Sequence, residues 1–189
     1  MTHRFIYSII IFSIIAISCQ KEEKQNPFEI TFNRIGNLTN EIQVNQLDSI
    51  FANDSIAKKT IGNQYVSESN EIEIYDKKGA RLLVLEAKKQ SDPTSTIQNI
   101  QVIDSRYATP SGLSSRSVFK DIKDHYKISK INNTLSTAVI FVDSIQAYFT
   151  IDKTQLPREF QYTTDIKIEA TKIPDSAKIK HFWISWNEN

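Results

Sequence analysis

The sequence predicts an α+β protein: an antiparallel, β-rich domain carrying two short amphipathic helices, arranged as two similar helix-plus-strands halves. Three observations lead there. Alternation of period two dominates from Phe28 to the C-terminus, it is interrupted twice by helical spacing, and each interruption is followed by a run of strand signals. With 189 residues, 40% of them hydrophobic and 24% charged, the chain can bury a core of its own. The expected layout is a signal peptide over 1–18, a lipidated tether over 19–27 and one α+β domain over 28–189.

The first segment has a basic start, His3-Arg4, and an apolar run from Phe5 to Ile17 broken only by Ser8 and Ser13. That is the layout of an export signal. A membrane span needs roughly 20 apolar residues, and this run is shorter. Ala16-Ile17-Ser18-Cys19 then resembles a lipobox, with a small residue before the cysteine whose thiol accepts the diacylglyceryl group. Cys19 is the one cysteine of the chain. Its use for lipidation leaves no disulfide, so core packing must hold the domain. Each buried acyl methylene contributes about 0.8 kcal/mol, and two or more chains make an anchor effectively permanent.

The tether, Gln20 to Pro27, has no apolar residue able to seed a core. Its start, Gln20-Lys21-Glu22-Glu23, resembles the export signature of surface lipoproteins, a lysine followed by acidic residues. A solvated linker has the same composition, so the periplasmic face stays open as the alternative to the cell surface. Beyond Cys19 the charges balance: the chain has 23 Lys+Arg against 22 Asp+Glu, and Arg4 is removed with the signal, leaving 22 against 22. Such a balance offers nucleic acid no electrostatic footprint.

In the body, Val44, Leu47, Ile50 and Phe51 share one helical face, and so do Val118, Phe119, Ile122 and Tyr126. After the first helix, Glu71 to Tyr75 alternates, turns at Asp76-Lys77-Lys78-Gly79 and returns as Arg81 to Glu86. A third strand spans Ile97 to Ile103. After the second helix come Thr137 to Val142, a tight turn at Asp143-Ser144, and Ile145 to Ile151. Asp165 to Ala170 and Ile179 to Trp186 are read as the last strands, around Pro174-Asp175. An offset of 75 residues lays Leu38-Thr39 on Leu113-Ser114, Leu47 on Ile122 and Phe51 on Tyr126.

Ile35-Gly36-Asn37-Leu38-Thr39, the stretch Thr96 to Ser105, Gly112-Leu113 leading into Ser117 to Ile122, and Ala177 to Lys180 before a Trp-bearing strand together resemble the RpoE-regulated lipoprotein family. The family has a second glycine where this chain carries Arg116 or Ser117. The resemblance implies an envelope location and a shared fold, and it supplies no reaction.

No catalytic signature is present. The two histidines of the mature chain, His125 and His181, lie on separate elements without a Glu-x-x-His or Cys partner, which argues against a metal site. His125 and Asp124 are helix neighbours, which point about 100° apart. Ser111 to Ser115 reads as the loop and cap that open the second helix, with anion binding there as the alternative. Glu71, Glu73 and Glu86 are expected on the solvent face of the sheet, with no cleft to bring them together.

The aromatic residues carry the binding expectation. With Phe182, Ile184 and Trp186 facing the core, Ile179, His181 and Trp183 fall on the other face. Tyr148, His181 and Trp183 are therefore the candidate binding surface. The sequence predicts an outer-membrane lipoprotein that is not an enzyme, needs no cofactor, and binds another envelope component by a sheet edge or an aromatic patch. A surface-exposed small-molecule or glycan-binding protein is the alternative, with a pocket lined by these residues as its mark.

Overall fold

In the computed structural model the backbone is described for residues 26–63 and 66–186, and side chains for these residues other than 59–63 and 66–70. Cys19 and Gln20 to Glu23 lie outside the described residues. The architecture is α+β and antiparallel, as predicted. A small three-stranded sheet, β1 (Ile30–Thr31), β2 (Arg34–Ile35) and β3 (Leu38–Thr39), opens the domain. Helix α1 (Leu47–Ile50), entered through a 3-10 turn at Val44–Gln46, leads to β4 (Ser55–Asn63), β5 (Val66–Tyr75), β6 (Arg81–Ala87) and β7 (Ile97–Val102). Helix α2 (Phe119–His125) leads to β8 (Lys130–Asn133), β9 (Thr137–Val142) and β10 (Ala147–Asp152), then α3 (Arg158–Gln161) and β11 (His181–Ser185).

The two strand groups are consecutive meanders that join edge to edge. The sheet order is β4-β5-β6-β7-β11-β10-β9-β8, so both halves build one eight-stranded sheet. The seam is the β7–β11 pair, in which Phe182 faces Val102 and Ile184 faces Ile100. The register lines up residues from half to half. Ile74, Leu83, Val102, Phe182, Phe149 and Ile140 form one continuous row of directly opposed partners on the inner face. All six are at most 2% exposed, and Phe149 and Phe182 pack with ring centroids 4.6 Å apart. Leu38 and Leu113, and Leu47 and Ile122, the pairs related by the 75-residue offset, are all buried in the same cluster.

Among the described residues Gly36, Gly79 and Gly112 adopt backbone conformations that other residues rarely take, and the first two shape the fold. Gly79 has φ +78 and closes the β5–β6 turn, where the Asp76 carboxylate accepts from the N–H groups of Lys78 and Ala80. Gly36 has φ +57, and a Cβ there would lie 2.2 Å from the Pro27 carbonyl oxygen. The chain from the tether thus runs directly against the first small sheet. Phe28 is seated next to it, edge-on to Tyr107 at 5.1 Å and under the Arg106 guanidinium. Arg106 in turn bonds Asp76 and Asp104 and holds both carboxyls below their usual range.

Several expectations are corrected. Asp165 to Ala170 is not a strand; it is a loop in which Ile168 is buried and whose carbonyl at Ile166 accepts from the Asn133 side chain. Its alternation comes from one buried side chain, without a ladder partner. The serines before α2 do not cap it. The N–H groups of Phe119 and Lys120 bond the carbonyls of Ala177 and Asp175, and Asp121 accepts from the N–H of Val118, so the segment leading to β11 fills the place of an anion. Ile179 is buried although its parity puts it opposite, because it precedes the strand and its N–H donates to Ser117. Strands β1 to β4 and β8, and helix α3, are elements that the alternation in the sequence does not mark.

The Phe149 ring is fully buried within the inner row and packs on Phe182, so its replacement opens a cavity in the core. Phe149→Ala is expected to lower unfolding free energy by about 3–5 kcal/mol in urea titration, whereas truncating an exposed side chain should stay within about 0.5 kcal/mol.

Candidate functional site

The outer face of the sheet carries the row parallel to the core row. Gln101, Trp183, Tyr148 and Phe141 are directly opposed partners on β7, β11, β10 and β9, and Lys130 on β8 ends the row. Alternation produces this: Gln101, Trp183, Tyr148 and Phe141 each lie one position away from a buried residue, on a strand whose other side chains build the core, and Lys130 follows from the β8–β9 register. Tyr148 and Trp183 are stacked, with rings 5° from parallel and centroids 5.9 Å apart. Phe141 follows at 5.7 Å from Tyr148, and the Lys130 ammonium lies 5.9 Å from the Phe141 ring. Each aromatic pair contributes about 0.5–1.5 kcal/mol beyond its buried area, so the row is a rigid platform as well as a surface.

The row is half-buried rather than covered. Trp183, Tyr148, Phe141, Gln101 and His181 all retain partial exposure. His181 stands beside the row, its Nδ1 2.8 Å from the Gln101 amide nitrogen. Burial lowers the His181 pKa, with the neighbouring Lys180 charge adding to the effect. Burial likewise pushes the Tyr148 hydroxyl up, with Glu86 contributing.

A concavity of about 440 Å³ adjoins the platform at the β9–β10 turn. Phe141 and Tyr148 form its aromatic side, and Asn99, Asp143, Gln146 and Ser185 supply polar groups. These groups are fixed. Ser185 donates to Asn99, Asn99 to Glu86, and the Gln146 side chain accepts from the N–H of Asn33 in the small sheet. Gln146 itself sits at φ 52, in the left-handed region, where it ends the 3-10 turn between β9 and β10.

Sequence reading locates Tyr148, Trp183 and His181, and the structure brings all three to one region. It misses Phe141, Gln101 and Lys130. Phe141 lies in Thr137 to Val142, where nearly every residue is apolar and alternation cannot assign a face; only the register of the β9–β10 hairpin places it against Tyr148. Of the three residues expected to line a pocket, Tyr148 alone borders the concavity, and Trp183 and His181 do not. The carboxylates differ from expectation in one respect. Glu73 is 1% exposed on the outer face, bonded by Arg81 and by the Tyr75 hydroxyl. It anchors a structural pair and leaves no free acid there. Among the described residues, no three His, Cys, Asp or Glu side chains gather as metal ligands, and His125 is exposed with Nδ1 against the Asp121 carbonyl.

Fold and surface together define a class: an antiparallel α+β protein built of two helix-plus-meander halves fused into one sheet, with a covered face and an aromatic face. The solved structure of the uncharacterized Escherichia coli protein YfeY is similar, with a TM-score of 0.54 at 12% identity over 83% of this chain and 99% of that one. The likeness is one of fold. No family model matches the chain, and no curated protein matches it in sequence.

His181 is depressed in the folded protein, so folding is favoured when the ring is neutral. The stability it contributes is present above the ordinary value of 6.5 and is lost as pH falls through the lower folded value. An NMR titration should place its midpoint below 6.5, and Gln101→Ala, which opens the ring to water, should bring it back toward 6.5.

Proposed function

We propose that the chain is a non-enzymatic outer-membrane lipoprotein of the RpoE-regulated type, anchored through Cys19 and exported to the cell surface by Gln20-Lys21-Glu22-Glu23, whose aromatic sheet face binds another envelope component. The observation that carries the binding role is the Phe141–Tyr148–Trp183 row. Three aromatic side chains on the solvent-facing side of a sheet stabilise the fold less than they would inside it, yet they offer a flat, pre-ordered contact surface. Aromatic residues of this kind supply large contact area at low entropic cost, which is why they dominate binding hot spots. The anchoring role rests on the single cysteine at the end of the apolar run.

A second reading, glycan binding, is favoured by one specific observation. The concavity beside the row combines two aromatic side chains with amide, hydroxyl and carboxylate groups held by their own hydrogen bonds. Aromatic carbon stacks on the apolar side of a sugar ring, and fixed polar groups meet its hydroxyls.

The test is in-cell photo-cross-linking with a photoreactive amino acid in place of Tyr148 and, as a control, in place of Lys123 on α2. A discrete adduct from position 148 that is absent from position 123 is expected. Its sensitivity to protease or to glycan-cleaving enzymes distinguishes the two readings. Shaving intact cells with protease before irradiation should abolish the adduct, and replacing Lys21, Glu22 and Glu23 by alanine should protect it. Equal labelling from both positions would contradict the proposed surface, and protection of the unaltered protein would contradict surface export.

A further inference from the structure

Among the described residues four large apolar side chains stand exposed, and three of them come from two adjacent loops. Leu135, in the β8–β9 turn, is 86% exposed, Tyr162, just after α3, is 91% exposed, and Ile166 in the loop that follows is 45% exposed. Scattered apolar residues on a surface need no explanation, but a group of them marks a place that meets something apolar. The fourth, Phe32, lies at the other end of the sheet, where the N–H of Asn33 donates to Gln146.

The two loops are fastened to each other by polar groups. Asn133 donates through Nδ2 to the carbonyls of Thr163, at 3.0 Å, and Ile166, at 2.8 Å, and the buried Lys153 ammonium donates to the same Thr163 carbonyl at 2.7 Å. The β8–β9 turn is closed on itself, since the N–H and the hydroxyl of Thr134 both donate to the Thr137 carbonyl. Leu135 and Tyr162 therefore protrude from held loops. Protruding apolar side chains suit insertion among lipid headgroups, and Tyr162 has the apolar body and polar end enriched at membrane interfaces. Asp165 and Lys167, on either side of Ile166, carry opposite charges, so the tip suits a zwitterionic surface.

The position of the tether brings a bilayer to this end of the sheet. Phe28 lies under Arg106, which bonds Asp76 in the β5–β6 turn and Asp104 just past β7. The register places the end of β7 beside the start of β9: Val102 faces Phe182, Phe182 faces Phe149, and Asp152 of the same strand faces Thr137. Strand β9 is separated from β7 by β11 and β10, a span of about 14 Å at about 4.8 Å per strand. Asn26 follows Cys19 by seven residues, a reach of at most about 25 Å. A lipid on Cys19 thus reaches the bilayer beneath both the tether and the β8–β9 turn.

We infer that Leu135, Tyr162 and Ile166 form a second membrane contact, dipping into the headgroup layer of the bilayer that holds the lipid anchor. The domain then stands on this end of its sheet and holds the concavity at the β9–β10 turn away from the membrane. The inference rests on the reading of Cys19 as the lipidated residue.

The test couples the mature chain, whole from Cys19, through its single thiol to a maleimide lipid in phosphatidylcholine nanodiscs that also carry a gadolinium-chelating headgroup lipid. Methyl signals of isoleucine and leucine are followed by NMR. Those of Leu135 and Ile166 should be lost to paramagnetic broadening, and that of Ile145, in the β9–β10 turn, should be kept. Replacing the two exposed residues together, Leu135→Ser with Tyr162→Ser, should restore the Ile166 signal. Retained Leu135 and Ile166 signals in the unaltered chain, or equal loss at Ile145, would overturn the inference. Concentration-dependent shifts at Leu135 and Ile166 without lipid would overturn it too, since they mark a second copy as the occupant. Mass spectrometry of Cys19 from cells tests the anchor separately: an unmodified thiol would contradict lipidation, while the contact itself stands or falls by the nanodisc result.

Discussion

The pairing of β7 with β11 is the constraint on which the rest of the structure depends. Each half alone is a four-stranded meander with two bare edges, and such edges are an aggregation liability. Joining the two at β7 and β11 removes both inner edges and leaves β4 and β8 outside. The junction also sets register across the whole sheet. Because Phe182 faces Val102, the core row continues from Leu83 in one half to Phe149 and Ile140 in the other. A slip of one residue would move Phe182 and Ile184 to the outer face and Trp183 into the core.

The same register creates the aromatic platform. Gln101 comes from the first half, Trp183, Tyr148 and Phe141 from the second, and their alignment is a by-product of the inner row that packs beneath them. Delivery of β11 to the seam is itself tied to α2. The residues just before the strand give the carbonyls of Asp175 and Ala177 to the first turn of that helix, Lys123 pairs with Asp175, and Val118 bridges Lys178. Helix, seam and platform therefore form one connected arrangement.

What is legible in the sequence follows from how strongly each element signals burial. The central strands β5, β6, β7, β9 and β10 and the two amphipathic helices carry apolar periodicity because both neighbours and the core constrain them. Edge strands carry little. Ser55–Asn63 contains paired lysines and a glycine, and Lys130–Asn133 has a single isoleucine, so neither shows the alternation of a central strand. Asp165 to Ala170 shows the reverse failure, since a loop with one buried isoleucine imitates a strand. Tyr148, Trp183 and His181 are legible as a surface because strand parity alone assigns their face. Phe141 and Gln101 require knowledge of which strands are neighbours, and the β7–β11 seam joins segments far apart in the chain.

The claim that the two halves are fused into one cooperative sheet is tested most directly by native-state hydrogen exchange with increasing urea, followed by NMR. If the seam governs the fold, the amides of β7 and β11 exchange only through global unfolding, with the same opening free energy and urea dependence as those in the centres of β6 and β9. If the β8–β11 amides instead exchange at a distinctly lower free energy than those of β5–β7, the halves open separately. The seam would then be a contact between two independent units, which contradicts its role as the constraint that sets the fold.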